Sequence, residues 1–235
     1  LPAYKPLFDH DKRFNKIIAI DIRNRKRKFR ALWDWVKVIK SNRYDLVVDL
    51  QSNDRSRLLL TLLVFVGGRI PYRVGNNQTF PYNIQPSENH TNTFKRYQSA
   101  IRSAGISVNN HQAVMAYTED NTENVKRLAI EFNFDKQSYA ILMPGSAAGG
   151  FLKRWGINNY AALAEKLHYE GIQKIILIGA QDEFDECDGI VKLCGDYLVN
   201  LCGKTKVLDI IPLCEGAKYI VTNDTGTGRI GAVSK

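Results

Sequence analysis

The stretch Lys218-Tyr-Ile-Val-Thr-Asn-Asp-Thr-Gly226 decides the fold of the second half of the chain. Residues 219–222 are aromatic or β-branched, which predicts a buried strand. Residues 223–226 are typical of a turn, and Gly226 has no Cβ to keep a ligand away from the backbone. A turn that leads from a strand into a helix directs backbone N–H groups toward one point. The stretch therefore indicates a phosphate site. An ordinary strand-to-helix turn capped by an aspartate, with no ligand, would explain the same residues.

The rest of the chain alternates between short apolar runs and amphipathic stretches. In the first half we expect strands at Lys16–Ile22, Tyr44–Leu50 and Ile70–Val74, and helices at Phe29–Lys40, Arg57–Val66 and Thr93–Ala104. A polar helix at Asp120–Phe132 leads into the second half. There we expect strands at Ser138–Met143, Lys174–Gly179, Leu198–Leu201 and Tyr219–Thr222, and helices at Asn158–Tyr169, Asp182–Leu193 and Val207–Cys214. This alternation predicts an α/β fold with parallel sheets, arranged as two Rossmann-like domains, residues 1–135 and 136–235, that face a cleft.

Size and composition restrict the class of protein. With 235 residues, 44% of them apolar and 24% charged, the chain is typical of a globular protein with one large or two small domains. No apolar run is long enough to span a bilayer. The four cysteines include no C-x-x-C pair, which argues against a zinc site and favours reduced, packed thiols.

The net charge of +9 comes from one segment. Between Lys12 and Arg43 there are twelve Lys or Arg residues and only two acids, Asp21 and Asp34. Such a segment indicates an anionic partner, which can be lipid head groups, a phosphorylated acceptor or nucleic acid. A solvated basic helix face explains the same pattern.

Four loops of the second half are predicted to follow its strands at one edge of the sheet. They are Pro144–Arg154, Gly179–Glu183, Cys202–Thr205 and Asn223–Gly226. Ligands of open α/β sheets bind beyond the carboxyl ends of the strands. These loops offer cations, hydroxyls and carboxylates, from Lys153, Ser146, Thr205, Thr225, Glu183 and Asp224. Small residues at 145–150 leave room for a diphosphate, so the edge would suit a nucleotide with a sugar attached.

The order of these motifs resembles a known family. Pro144-Gly-Ser146, Lys153-Arg-Trp155, Leu177-Ile-Gly-Ala-Gln-Asp-Glu183, Leu201-Cys-Gly-Lys-Thr205 and Asn223-Asp-Thr-Gly226 are similar, in this order, to motifs of family 9 of the glycosyltransferases. Those enzymes are the heptosyltransferases of the lipopolysaccharide inner core. In the first half, Tyr44–Gln51 followed by Asn53-x-Arg55-Ser56 resembles the D-L-x-x-N-x-R-S segment of that family, and the resemblance extends from about Ile17 onward.

The resemblance implies a GT-B fold, with the acceptor in the first domain and the donor in the second. It implies inverting transfer of a heptose, or a related sugar, from an ADP-sugar to an anionic glycolipid, with no cofactor and no metal. Asp49, Gln51, Asn53 and Arg55 would lie on the acceptor side. On the donor side, the resemblance assigns the diphosphate to Ser146, Thr225 and Gly226, the sugar to Asp224, the ribose to Glu183 and the base to Thr205. Lys153 would contact the diphosphate or the donor sugar.

The sequence departs from the family pattern in three places. The catalytic aspartate of the family lies in a loop that would precede residue 1, so the general base stays unassigned. Arg229 stands where the family has a histidine after Asp-Thr-Gly; it keeps a positive charge near the diphosphate but cannot shuttle a proton. The pattern also continues beyond Lys235, so we expect the chain to be incomplete at both termini.

Three functions fit the sequence to different degrees. The main hypothesis is a glycosyltransferase at the cytoplasmic face of the inner membrane, bound peripherally through its basic segment and with no nucleic-acid partner. A nucleic-acid-binding or catalytically silent module would use Arg25-Lys-Arg-Lys28, but few aromatic residues lie among those charges. A nucleotide-sugar epimerase of the same fold would need histidines and carboxylates facing the cleft, and none of the four histidines lies near the motifs.

Overall fold

The structure is a computed structural model that describes residues 2–21, 26, 28–51, 53–75, 79–86, 88, 90–109, 113–146 and 150–233. The chain divides into two compact units. The first unit comprises Leu1–Lys5 and Lys16–His111, and the second unit comprises Pro6–Asn15 and Gln112–Lys235. Each unit contains a parallel sheet packed against helices.

The first unit contains a small parallel sheet. Its elements are α1 (Lys28–Asn42), β1 (Leu46–Val48), α2 (Asp54–Phe65), β2 (Tyr72–Val74) and α3 (Thr93–Ser103). β1 and β2 pair in parallel, with Leu46 opposite Tyr72, and α2 forms the crossover between them. The core consists of Val36, Leu60, Leu63, Ile70 and Tyr82. The predicted strands at Tyr44–Leu50 and Ile70–Val74 are confirmed in shortened form.

The strand predicted at Lys16–Ile22 is wrong over residues 16–21, which have no regular secondary structure. Residues 17–21 are half-buried, as their apolar pattern indicates, but among the described residues β1 pairs only with β2. A strand requires a neighbouring backbone for its hydrogen bonds, and the apolar pattern does not supply one. Ile22, Arg25 and Arg27 lie outside the described residues.

The second unit contains a four-stranded sheet. Its elements are α4 (Glu119–Phe132), β3 (Tyr139–Met143), α5 (Ile157–Tyr169), β4 (Lys174–Leu177), α6 (Phe184–Leu193), β5 (Leu198–Asn200), α7 (Ile210–Gly216), β6 (Tyr219–Thr222) and α8 (Gly226–Gly231). The strand order is β5-β4-β3-β6, and all neighbours are parallel. Every strand predicted for this half is present, but the prediction that residues 219–222 form a buried strand is wrong. Tyr219 and Ile220 are 48% and 37% exposed, because β6 lies at the edge of the sheet and pairs only with β3 among the described strands.

Helices cover both faces of this sheet. Ala140 and Leu142 of β3 pack with buried residues of α5 and α6. Ile141 and Met143 point to the opposite face and pack with residues of α4 and α7. Because alternate residues of a strand face opposite sides, a strand covered on both sides reads as a continuous apolar run. This explains why the sequence pattern located these strands well.

The division between the units falls before α4, whereas the sequence analysis placed it at residue 135. α4 belongs to the second unit because Leu128 packs into its core. Asp209 is fully buried and accepts hydrogen bonds from the side chains of Asn121, at 2.7 Å, and Asn124, at 2.5 Å. A polar helix thus joins the second unit through a buried carboxylate that periodicity alone does not reveal. None of the described helices has the length and hydropathy that a membrane span requires.

We expect Asp209→Ala to lower the free energy of unfolding by about 3 kcal/mol, because it leaves buried donors without an acceptor. Those donors are the two asparagine amides and the backbone N–H of Lys206, which lies 2.8 Å from the carboxylate. Urea unfolding followed by circular dichroism measures the loss. Asp185→Ala, at an exposed position in the first turn of α6, is the control and should cost less than about 1 kcal/mol. Equal losses in the two variants would contradict the role of Asp209.

Candidate functional site

The strand order places a crevice beside β3. The chain runs from β3 to β4 to β5 in one direction and then returns to place β6 on the other side of β3. In open α/β sheets, ligands bind at the point where the order reverses, beyond the carboxyl ends of the strands. Here that point lies between the β3 loop (residues 144–156) and the β6 loop (residues 223–225).

Asn223 ties these two loops together. Its side chain is only 9% exposed and donates to the carbonyl oxygens of Pro144, at 2.6 Å, and Gly145, at 3.2 Å. Its carbonyl oxygen accepts a hydrogen bond of 3.1 Å from the Tyr160 hydroxyl. Burial, helped by the nearby Glu186, raises the pKa of Tyr160 to about 12, so this hydroxyl remains a donor. The ends of β3 and β6 are therefore fixed to each other below the surface.

A second buried contact shapes the β3 loop. The Ser146 hydroxyl donates to the carbonyl oxygen of Gly150, at 2.9 Å, and accepts from Nε of Arg154, at 3.1 Å. Arg154 also forms an ion pair of 2.8 Å with Glu186. Burial raises the pKa of Glu186, and the guanidinium of Arg154 opposes that shift. Ser146, predicted as a phosphate contact, thus has internal partners here, and residues 147–149 lie outside the described residues.

Three charged side chains meet above the crevice. Lys153, at the end of the β3 loop's 3₁₀ turn, lies 2.6 Å from one carboxylate oxygen of Asp224. Arg229 of α8 lies 3.1 Å from the other oxygen. Both cations hold the pKa of Asp224 below its ordinary value, and the hydrogen bond from Lys153 is the larger cause. We call this arrangement the Lys153–Asp224–Arg229 cluster; all three side chains are exposed and the cluster carries one net positive charge.

The turn into α8 leaves space next to the cluster. Thr225 caps the helix by accepting a hydrogen bond of 3.0 Å from the backbone N–H of Gly228. A Cβ on Gly226 would meet nothing within 4 Å, so internal packing does not require glycine there. Gly228 differs, because a Cβ would come within 2.5 Å of the Thr222 hydroxyl. α8 has only six residues, so the positive charge at this turn comes mainly from side chains and not from a helix dipole.

The remaining predicted donor residues follow the next two strands. The Glu183 carboxylate accepts a hydrogen bond of 2.8 Å from the N–H of Ala180 and lies against Gly145, where any Cβ would collide with it. Thr205 is half-buried in the turn after β5. Since neighbouring strands lie about 4.8 Å apart, the four loops extend over about 14 Å. The prediction that these loops share one edge is confirmed.

In the first unit, the predicted acceptor residues near the end of β1 form internal contacts. The Asp49 carboxylate accepts hydrogen bonds from the hydroxyl of Tyr82 and from the backbone N–H of Gln51, the latter at 3.1 Å. Burial and the carboxylate both raise the pKa of Tyr82. Tyr82 was not predicted as a partner; the only signal for it was an aromatic residue in the long polar stretch 76–92.

Asn53 begins α2. Its side chain accepts hydrogen bonds of 3.0 Å from the backbone N–H groups of Arg55 and Ser56, and the Ser56 hydroxyl accepts from the Asn53 N–H in return. This capping box starts the helix three residues earlier than predicted. Gln51 and Arg55 have exposed side chains. The N-x-R-S motif thus has a local structural role at Asn53 and Ser56.

Comparison with known proteins now identifies the family. The family model described as glycosyltransferase family 9 (heptosyltransferase) matches residues 32–233. The chain belongs to glycosyltransferase family 9.

One curated relative and two solved structures are similar to this chain at low sequence identity. Lipopolysaccharide heptosyltransferase 3 of Escherichia coli (strain K12) is 23% identical over 220 residues, which is 88% of this chain and 61% of that protein. The solved E. coli ADP-heptose LPS heptosyltransferase II has a TM-score of 0.64 at 20% identity, covering 98% of this chain and 70% of its own. A family 9 glycosyltransferase from Veillonella parvula DSM 2008 has a TM-score of 0.79 at 16% identity, and the match covers 97% of this chain and 65% of that one.

This chain therefore spans about three fifths of the length of the curated relative. At these identities the likeness of the solved structures shows the fold. The predicted α/β fold of the GT-B type, with parallel sheets, is confirmed.

The exposed residues Lys153, Asp224 and Arg229 were singled out from the sequence, whereas the buried side chains of Asn223 and Tyr160 beneath them were not. Asn223 was taken only as part of a turn, and Tyr160 only as part of an amphipathic helix. The available signal for Asn223 was its position directly after an apolar strand, where an amide can reach the backbone of a neighbouring strand end. Nothing in the sequence around Tyr160 indicates that its hydroxyl donates to the Asn223 side chain.

We expect Asn223→Ala to lower the free energy of unfolding by about 1–3 kcal/mol, because the Tyr160 hydroxyl and two carbonyl groups lose their partner. Hydrogen exchange of the β3 loop should also become faster, since the loop loses its tie to β6. Asn159→Ala is the matched control: its amide donates to the carbonyl oxygen of Trp155, at 2.6 Å, from an exposed position. Unchanged exchange in the Asn223 variant would show that the loops hold together without it.

We expect Lys153→Ala to raise the pKa of Asp224 more than Arg229→Ala does, because Lys153 supplies the larger stabilisation of the carboxylate. Since the native pKa is lowered, the contacts are complete above the ordinary aspartate pKa and are lost as the pH falls through the native value. Carbon-13 NMR titration of the aspartate carboxyl groups measures the shifts. Lys192→Ala, which removes an exposed lysine from its pair with Asp188, should leave the Asp224 titration unchanged.

Proposed function

We propose that this chain binds an ADP-sugar along the carboxyl edge of the second unit and transfers its heptose, or a related sugar, to a lipopolysaccharide core acceptor. One observation supports the site above all others. Lys153 and Arg229, from the loop after β3 and the helix after β6, converge on Asp224 at the point where the strand order reverses. Membership of family 9 supports the reaction class. The E. coli neighbour is named for ADP-heptose, which supports the choice of nucleotide.

The order of the strands matches the order of groups in a nucleotide-sugar. The sheet edge runs β6, β3, β4, β5. It presents Asp224 first, then Lys153, then Glu183 and finally Thr205. These are the residues proposed for the sugar, the diphosphate, the ribose and the base, in the covalent order of the donor. A span of about 14 Å accommodates an extended ligand of this kind.

The proposed reaction is a single displacement. An acceptor hydroxyl attacks the anomeric carbon while the bond to the diphosphate oxygen breaks, and ADP leaves with the electron pair. The hydroxyl proton passes to a general base, to which we assign no residue. Attack from the face opposite the leaving group inverts the anomeric configuration. Lys153 and Arg229 stabilise the charge that develops on the diphosphate, a role that requires no metal.

Asp224 has two effects on this ligand. While it binds both cations, its carboxylate competes with the diphosphate for them. Once the diphosphate takes its place, the carboxylate is free to accept hydrogen bonds from sugar hydroxyls. Asp224 therefore opposes the binding of ADP alone and favours the binding of ADP that carries a sugar.

The acceptor side of the proposal concerns the first unit. We assign the anionic glycolipid to the region after β1, near the exposed side chains of Gln51 and Arg55. Asp49 and Asn53 would position this loop through the contacts described above. The basic segment between Lys12 and Arg43 would attract the chain to the inner, cytoplasmic face of the membrane, where such acceptors are anchored.

We expect ADP-heptose and other ADP-sugars to raise the melting temperature of the protein, and Lys153→Ala to weaken their binding at least about tenfold through loss of a charged hydrogen bond. Asp224→Asn should weaken ADP-sugar binding but leave ADP binding equal or stronger. Isothermal titration of each ligand measures both ratios. Lys192→Ala is the control, since it breaks a lysine–aspartate pair of similar length, 2.7 Å, in the same unit.

Two results would overturn the proposal. One is the absence of stabilisation by any nucleotide-sugar, and the other is equal weakening by Lys153→Ala and Lys192→Ala. Transfer should be measured with a lipopolysaccharide core acceptor. Transfer is expected to persist in EDTA and to give the inverted anomer by NMR; loss in EDTA would reject the metal-free step while leaving the donor site intact.

A further inference from the structure

Helix α1 buries one side and exposes aromatic residues on another. Val36 is 1% exposed and packs into the core of the first unit, together with Trp35 and Ile39. Phe29 and Trp33 are 83% and 51% exposed. Because they are four residues apart, they are neighbours on the helix surface. Two adjacent exposed aromatic side chains form an apolar contact surface that the fold of the first unit does not use.

The same face of α1 is basic. The helix contains four Lys or Arg residues and one acid, Asp34. Arg30 is three residues before Trp33, which makes the two neighbours on the helix surface, and it approaches Asp34 to 4.0 Å with most of its side chain exposed. Lys37 follows Trp33 by one turn and is also exposed. Aromatic residues flanked by cations at an exposed helix face are typical of helices that lie in the interface of an anionic bilayer.

A second pair of exposed aromatic residues lies at the end of α2. Nζ of Lys40 donates to the carbonyl oxygen of Val66, at 2.6 Å, which fixes the C-terminal end of α1 beside the end of α2. Phe65, directly before Val66, is 77% exposed, and its ring lies 5.8 Å from that of Phe80. The first unit thus has a second exposed aromatic pair next to the basic end of α1.

We propose that the exposed face of α1 docks the chain on an anionic lipid bilayer, with Phe29 and Trp33 in the headgroup region and Arg30 and Lys37 against lipid phosphates. This inference rests on the proposed function for its biological setting, but its evidence lies in the first unit and is independent of the donor site. Charge complementarity selects the partner: a net-positive helix face in the basic segment fits an anionic surface, whereas a neutral protein surface would leave the cations without a partner. A contact of two aromatic residues and a few cations is reversible and weakens with salt.

The test is co-sedimentation with vesicles of phosphatidylcholine alone and with added phosphatidylglycerol. The chain should bind the anionic vesicles at low salt, and the double variant Phe29→Ser, Trp33→Ser should lower the partition coefficient at least about tenfold. Arg30→Gln with Lys37→Gln should reduce both binding and its salt dependence. Tyr169→Ser is the matched control, because Tyr169 is 92% exposed on α5 of the second unit.

Three outcomes would overturn the inference. They are equal binding to neutral and anionic vesicles, full binding by the double variant, and self-association that the double variant abolishes without vesicle binding. The last would make this face a contact between copies of the chain. Stabilisation by an ADP-sugar, measured in the same variants, separates the two proposals: it should be unchanged by the α1 substitutions, and its absence from the unsubstituted chain would refute the donor site without affecting the vesicle result.

Discussion

A buried asparagine joins the two loops on which the candidate site depends. Asn223 links the end of β6 to the backbone after β3 and accepts from a tyrosine that burial keeps protonated. The ion pair between Lys153 and Asp224 could not hold these loops by itself, because exposed ion pairs contribute little to stability. A buried amide with all its partners in place does contribute. The geometry of the exposed charges is therefore a consequence of the hydrogen bonds beneath them.

The contacts in the buried part of the site are made within the protein, whereas those in the exposed part can be replaced by a ligand. In the lower part, Ser146, Arg154 and Glu186 are held by internal hydrogen bonds and an ion pair. In the upper part, the exposed side chains of Lys153 and Arg229 form ion pairs with Asp224. A ligand that brings a diphosphate and sugar hydroxyls can replace each internal contact with one of its own. A site of this kind favours ligands that supply both chemical groups over those that supply one.

The sequence was most informative where local pattern and tertiary environment agree. The central strands β3 and β4 of the second unit are covered on both faces, so their apolar runs predicted them well, whereas the edge strand β6 has the same kind of run and is largely exposed. The same pattern failed at residues 16–21, because an apolar run does not specify a hydrogen-bonding partner. Polar residues that act in the core were missed for a related reason: Asp209, Asn223 and Tyr82 find partners at least 33 positions away in the chain. The exposed cations Lys153 and Arg229, by contrast, were singled out by the order of the motifs and the predicted strand topology.

Arg229 changes the electrostatics of the cluster relative to the histidine that the family pattern has at this position. A neutral imidazole would leave Lys153 and Asp224 as a balanced pair with no net charge. The guanidinium of Arg229 is charged at all relevant pH values and reaches the second oxygen of Asp224, so the cluster keeps one net positive charge before any ligand binds. That charge would attract the diphosphate of the proposed donor even while Asp224 still binds both cations. Since an arginine cannot serve as a proton donor near neutral pH, any stabilisation of the leaving group by Arg229 in the proposed reaction would be electrostatic.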